Sequence, residues 1–448
     1  MLTAFSIIFI KNAPLKMNKP KLSKHFENRM PSSIRSAQIL FSDRKDKKDL
    51  KVVNLSIGNI SLPMFPAMKK KMAQLGQDIF RDGVVKYTPT AGSKLARESF
   101  INILQASGID TSGLFVNITD GGSSSMELMM LGTSGPSSLK PIMLLDPAYT
   151  NYIEFAKRLN ISVITSSREI KDDGSFKTIN FEDMKKNIQH NSPSALIVIP
   201  YDNPTGQFLS QEILVQIAEI CVENNIWMVS DEAYRPLCFL ENQEESSIWK
   251  ITDNDVPGIL GSRISIESAS KVWNACGLRI GGIITDNERF HKKAISEYTA
   301  NLCANTIGQE IFGALANASH QEIIEWYSTQ ISYYKRILRN LKKNLLKELP
   351  GLIVTDPESS IYCIIDFKNI CDKNFDAEDF VQYSAGQGKV LLDNELYTVL
   401  LAPMSGFYTI PGYGKTQLRI AIVESEDLIM KTPKILAGLY QDYINSRG

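Results

Sequence analysis

The chain has 448 residues, 43% of them hydrophobic, enough for one large α/β unit with a smaller companion or for two to three ordinary domains. Its 49 basic residues are balanced by 49 acidic ones, so the charge points neither to nucleic acid nor to an anionic membrane surface. Six widely spaced cysteines (Cys221, Cys238, Cys276, Cys303, Cys363 and Cys371) form no Cys-x-x-Cys pair and the four histidines are scattered, which leaves zinc, haem and disulfide-framework readings without support. No metal site is expected, and a reduced cytoplasmic protein is the default.

The opening MLTAFSIIFI is apolar, but it is too short to span a bilayer and lacks the basic flank and cleavage site of a signal peptide. A more ordinary polar start begins at Met17, and residues 43–51 form a solvated charge run. From residue 52 a short strand is predicted, running into a turn at Gly58. Residues 66–80 read as a helix with Pro66 at a tolerated first-turn position, and residues 93–106 as another. Between them lies Lys86-Tyr87-Thr88-Pro89-Thr90-Ala91-Gly92, where Tyr87 taken alone is a packed turn tyrosine.

A strand over Phe115–Ile118 then meets a Gly121-Gly122-Ser123 turn and an apolar helix. Such a strand, turn and helix expose free backbone N–H groups and a positive dipole end to an anion. The βα alternation continues with a strand over Ile142–Leu145, followed by Asp146-Pro147 and Tyr149, which by itself is equally a core-lining aromatic. Residues 195–200 are a continuous apolar run of the kind buried on both faces, leading into Asp202-Asn203-Pro204-Thr205-Gly206. A helix over about 210–223 and a strand ending at Ser230 deliver Asp231-Glu232-Ala233-Tyr234. Asp231 alone could serve as a turn or helix cap.

The stretch from Arg263 to Gly282 carries the strongest signal. An alternating apolar run ends in Ser268 and Ser270, Lys271 follows, and Arg279 stands eight residues further on before a second apolar run. An unpaired ammonium between two buried strands is costly, so the position needs a use. A lysine that forms an imine beside a phosphate-gripping Ser-Ser-Arg set has this pattern. Residues 324–348 read as a long amphipathic helix, followed by strands near 360–367 and 417–423 and a terminal helix. Without regular alternation, this last quarter reads as a separate α+β unit, with Arg419 set in an apolar strand.

In this order, the Tyr87–Gly92 segment, the glycine-serine turn, Asn-Pro-Thr-Gly, Asp-Glu-Ala-Tyr, Ser-x-Ser-Lys-x7-Arg and the late arginine strand closely resemble the class I/II aminotransferases (aspartate and aromatic aminotransferase-like), which use pyridoxal phosphate and have fold type I. The likeness covers roughly residues 50–425. It implies a large α/β domain with a mostly parallel sheet sandwiched by helices (residues 66–325), a smaller α+β C-terminal domain (326–448), and residues 1–65 as an arm and part of the small domain.

The resemblance also implies roles. Lys271 would carry the cofactor and move the substrate's α-proton. Gly122, Ser123, Ser268, Ser270 and Arg279 would hold the phosphate, joined by Tyr87 from a neighbouring subunit. Asp231 would sit against the pyridine nitrogen, Asn203 and Tyr234 against the phenolic oxygen, and Tyr149 on the ring face. Arg419, with Gly58 and Asn203, would bind the substrate. Tyr87 and Asn305–Gln309 imply a homodimer with shared sites, acting on an amino acid and a 2-oxo acid. Aspartate or an aromatic amino acid is the leading donor. Ile60-Ser61-Leu62 departs from the commoner acidic stretch near the expected entrance, and a cation for a distal carboxylate is not evident beyond Lys86 and Arg235, which merely neighbour motif residues. The alternatives are a β-eliminating lyase or decarboxylase in the same cage, and a non-catalytic regulator, for which no basic helix-turn-helix precedes residue 50.

Overall fold

The computed structural model describes residues 20–136 and 138–447. The apolar opening and the alternative start at Met17 lie outside these residues. Fourteen strands are described: β1 (Leu50–Asn54), β2 (Phe115–Thr119), β3 (Ile142–Asp146), β4 (Val163–Ser167), β5 (Ala195–Val198), β6 (Trp227–Asp231), β7 (Arg263–Ser268), β8 (Gly281–Thr285), β9 (Ile353–Val354), β10 (Tyr362–Asp366), β11 (Val390–Leu392), β12 (Glu395–Leu400), β13 (Ala402–Pro403) and β14 (Gln417–Ala421).

Seven of them form one sheet in the order β2-β8-β7-β6-β5-β3-β4. The pairs β3/β4, β3/β5, β5/β6 and β6/β7 are parallel, and β8 runs antiparallel to both β2 and β7. The other six strands therefore all point the same way. Their apolar runs split by the two-residue period of a strand. Ile142, Leu144, Ile197, Val229, Ile264, Ile266 and Ile283 pack on one face with the helices Gly121–Thr133, Thr150–Leu159 and Glu288–Tyr298. Met143, Leu145, Leu196, Val198, Met228 and Ile284 pack on the other with Lys94–Ala106, Phe181–Asn191 and Gln211–Glu223. This is the helix-covered, mostly parallel sheet that the sequence predicts, with β8 as its one reversed strand.

The later strands build two smaller sheets, β13-β14-β10-β9 and β1-β12-β11. In the second, the early strand β1 lies parallel to β12, in register from Leu50↔Leu396 to Asn54↔Leu400. Two helix boundaries differ from the expected ones. The helix expected over residues 66–80 covers Pro66–Gln74 and ends before Gly76, whose backbone freedom disfavours helix. The long helix begins at His320 because Ser319 and Glu322 form a reciprocal capping box there.

Candidate active site

The site lies where the parallel strands end, the usual place for a ligand on an open α/β sheet. A cavity of about 340 Å³ is lined by Gly58, Gly122, Ser123, Tyr149, Asn203, Asp231, Tyr234, Ser268, Ser270, Lys271 and Arg279, residues that end or follow β1, β2, β3, β5, β6 and β7 in turn. Eleven of the sequence-derived residues thus share one space. A second space of about 280 Å³ continues outward from Gly58, Tyr149 and Lys271 and contains Arg419.

One corner is built for an anion. The helix Gly121–Thr133 opens there, and Gly121 has a φ of +76°, a conformation open to glycine. A Cβ on Gly121 would fall on the Arg279 guanidinium, so the absence of a side chain lets the two approach. Arg279 itself sits at φ 51° and donates through Nη1 to the Cys276 carbonyl at 3.2 Å. Ser268 Oγ accepts from the Ser270 N–H at 3.0 Å, which orders the short loop between the strand and the lysine.

Asp231 ends β6 and is buried. Its carboxylate accepts from the Tyr152 hydroxyl at 2.9 Å and from the Ala233 N–H at 3.2 Å, and no ion-pair partner reaches it among the described residues. Burial pushes its pKa up to about 6, against these two hydrogen bonds. A buried acid in this condition gains from a cation placed against it. The Lys271 ammonium donates to the Gly58 carbonyl at 2.6 Å. A Cβ on Gly58 would lie 2.5 Å from the Tyr362 hydroxyl and 2.6 Å from Lys271 Nζ, so only glycine leaves room for both.

Asn203, Tyr234, Tyr362 and Arg419 form a connected polar set. Tyr234 and Tyr362 hydroxyls lie 2.9 Å apart, and Asn203 Nδ2 is 3.5 Å from the Tyr234 hydroxyl. Arg419 donates to Asn203 Oδ1 at 2.8 Å and to the Ser56 carbonyl at 2.7 Å. It is a buried residue of an inner strand, β14, paired with Ile364 and Ala402, rather than a surface arginine on an edge. The rings of Tyr362 and Phe407 lie 4.5 and 4.8 Å from its guanidinium carbon, and its Nε has no partner among the described residues.

Tyr87 stands apart from this space. It is 78% exposed and does not line the cavity of its own chain. Residues 305–309 hold the irregular segment around it: Thr306 Oγ1 donates to the Lys86 carbonyl at 3.1 Å and Gln309 Nε2 to Thr88 Oγ1 at 3.0 Å. The structure overturns Arg235 as a cation for substrate. Its guanidinium is buried against Glu232, Glu267 and Glu245 at 2.8, 3.2 and 3.3 Å. Lys86 lines neither space. Two residues escaped the sequence reading. Tyr152 stands one helical turn after Tyr149, a spacing that could have flagged it, whereas Tyr362 comes from another sheet and leaves no local signal.

An open α/β sheet whose strand ends gather a lysine, a buried carboxylate and an anion cradle defines a fold type I site. A family model for aminotransferase class I and II matches residues 50–430. The aspartate aminotransferase of Sulfolobus acidocaldarius is 24% identical over 396 residues, 86% of this chain and 88% of that protein. The glutamate-pyruvate aminotransferase AlaA of Escherichia coli is 25% identical over 356 residues, 77% of this chain and 82% of its own length. A single mutant of Thermus thermophilus aspartate aminotransferase superposes with a TM-score of 0.76 at 20% identity, covering 94% of this chain and all of that one. The chain belongs to the class I and II aminotransferase family, and it is an enzyme of amino-group transfer.

No helix among the described residues is long and apolar enough to cross a membrane.

Proposed function

We propose that the cavity binds pyridoxal 5′-phosphate and that the enzyme moves the amino group of an α-amino acid to a 2-oxo acid. The observation that carries this reading is Asp231, a buried carboxylate without an ion-pair partner among the described residues, in one cavity with Lys271 and the Gly121–Arg279 anion corner. That donor set fits a phosphorylated pyridine. The N–H groups at Gly122 and Ser123, the Ser268 and Ser270 hydroxyls and the Arg279 guanidinium would hold the phosphate. Asp231 would keep the ring nitrogen protonated, Asn203 and Tyr234 would face the phenolic oxygen, and Tyr149 would flank the ring. When bound, the cofactor supplies an electron-accepting ring and a carbon that takes up the amino group.

This chain's own residues supply the rest. Lys271 Nζ would be the attachment point for the cofactor, and its free amine would carry the proton from the substrate's α-carbon. Gly58 leaves the ammonium room and its carbonyl steadies it. Arg419 would take the α-carboxylate through its planar fork, held ready by Asn203, Ser56 and two aromatic rings. Residues 66–325 would act as the cofactor-binding domain, with the residues up to 65 and 326–448 forming the companion that brings Arg419. Tyr87, exposed on its own chain, would complete the site of a second copy in a homodimer. Aspartate or an aromatic amino acid is the leading donor.

The test is an absorbance spectrum of the purified protein before and after an amino acid is added alone. Conversion of the cofactor band to that of its amine form, without ammonia or carbon dioxide, is the expected result. Release of ammonia would instead mark a lyase, and release of carbon dioxide a decarboxylase.

A further inference from the structure

Tyr362 reaches the site from β10, across the boundary between two sheets. β10 pairs with β14 so that Ile364 stands opposite Arg419, and the buried Tyr362 ring comes to lie 4.5 Å from the Arg419 guanidinium carbon. Its hydroxyl stops 2.5 Å from the point where a Gly58 Cβ would stand, and Lys271 Nζ lies 2.6 Å from the same point. The one hydrogen-bond partner of that hydroxyl among the described residues is the Tyr234 hydroxyl, at 2.9 Å.

Two hydroxyls share one bond, and either oxygen can be the donor. Their neighbours choose the direction. Arg419 only donates, and by taking Asn203 Oδ1 it leaves the Asn203 amide nitrogen toward the Tyr234 oxygen, at 3.5 Å. The charged groups beside Tyr362, Lys271 and Arg419, are donors as well, so they attract its oxygen and repel its proton. That proton has one acceptor among the described residues, the Tyr234 oxygen. Tyr234 lines the cavity itself, and its own proton is left to point there.

We propose that Tyr362 is a positioning residue of this enzyme: its O–H donates to the Tyr234 oxygen and so turns the Tyr234 proton into the cavity. The proposal rests on the aminotransferase reading above, in which Tyr234 faces the phenolic oxygen of the cofactor, and it adds a group that acts only through Tyr234. Accepting a bond from Tyr362 polarises the Tyr234 O–H and makes it the stronger donor. The same bond ties that donor to the strand pair that carries Arg419.

A double-mutant cycle on the pH midpoint of the cofactor's absorbance, measured on the loaded full-length enzyme, tests it. Y362F should raise the midpoint by about 0.5–1 unit, the effect of one hydrogen bond, because a weaker donor at the phenolic oxygen supports its anionic form less. Y234F should raise it at least as far, and Y362F should add nothing in the Tyr234→Phe background. A midpoint that stays in place in Y362F, or that moves as much when Tyr234 is absent, overturns the assignment. The same chains, isotopically labelled at the hydroxyl-bearing ring carbon of tyrosine, give a second readout by NMR. The resonance that Y234F deletes should move in Y362F, and a resonance that stays put also overturns the proposal. Failure of the aminotransferase reading looks different: no chain would show a cofactor band, and that resonance alone would decide the role of Tyr362.

Discussion

Arg419 on β14 donates to the Asn203 side-chain carbonyl at 2.8 Å, joining a strand of a smaller sheet to the loop that follows β5 of the large one. The contact fixes which way the Asn203 carboxamide faces, since its oxygen is taken and its nitrogen turns toward the Tyr234 hydroxyl. One side chain thereby couples the group proposed for the substrate carboxylate to the group proposed for the cofactor ring.

The first prediction follows from that coupling. Asn203→Ala should lower kcat/KM for every amino donor by about 1.5–3 kcal/mol, because a buried guanidinium loses an acceptor and the ring oxygen loses a donor. Arg419→Ala should match it for substrate but leave the pH dependence of the cofactor's absorbance in place. Steady-state kinetics paired with a spectrophotometric pH titration checks both. Identical spectra for the two variants would break the coupling.

Lys271→Ala should abolish turnover while leaving a folded protein, since the side chain is half-buried and its hydrogen bond is a single one, to the Gly58 carbonyl. Borohydride treatment of the wild type followed by peptide mapping should place the cofactor on Lys271. A label on any other lysine would refute the assignment.

Much of this was legible in the sequence because it is local. The anion corner and the lysine follow strand ends within a few residues, and a continuous apolar run announces a strand buried on both faces whatever its neighbours are. What could not be read depends on pairings far along the chain. Asn203 and Arg419 are separated by 216 positions, and Tyr362 enters the site only because β10 pairs with β14 in the register Ile364↔Arg419. Arg235 looked available because it follows Tyr234, yet its near neighbour Glu232 holds it at 2.8 Å, and Glu245 and the distant Glu267 on β7 complete its enclosure. The apolar periodicity of residues 324–348 carries no sign of the Ser319–Glu322 capping box that starts the long helix four residues earlier, at His320.

Asp231 gives a pH prediction. Burial holds its pKa at about 6 in the folded protein, against 3.8 for the free group, so the fold favours the protonated form. Without cofactor, its contribution to stability is therefore fully present below about 3.8 and is lost as pH rises through about 6. A cation against the carboxylate reverses this preference. Cofactor affinity should accordingly weaken as pH drops below about 6, and Asp231→Asn should remove that inflection. Equilibrium dialysis of the cofactor between about pH 5 and about pH 8 reads it directly. An unchanged profile in the variant would show that Asp231 does not face the ring.

The last prediction concerns assembly. Tyr87 is 78% exposed, and Ile79, Val84, Val85, Leu95, Leu302 and Ile307 are exposed as well, several of them on the segments that the Thr306–Lys86 bond ties together. Exposed apolar side chains gathered beside a site favour burial against a partner. If two copies pair there, the Tyr87 hydroxyl of one can reach the anion corner of the other. Tyr87→Phe should then weaken cofactor binding about tenfold through one lost charge-assisted hydrogen bond. A Lys271→Ala chain co-expressed with a Tyr87→Phe chain provides the decisive comparison. In a mixed dimer one site combines native Lys271 with native Tyr87, while the other lacks both. Activity per Lys271-bearing chain should therefore rise above that of the Tyr87→Phe homodimer. No gain on mixing, or a fully active monomer by light scattering, would remove Tyr87 from the shared site.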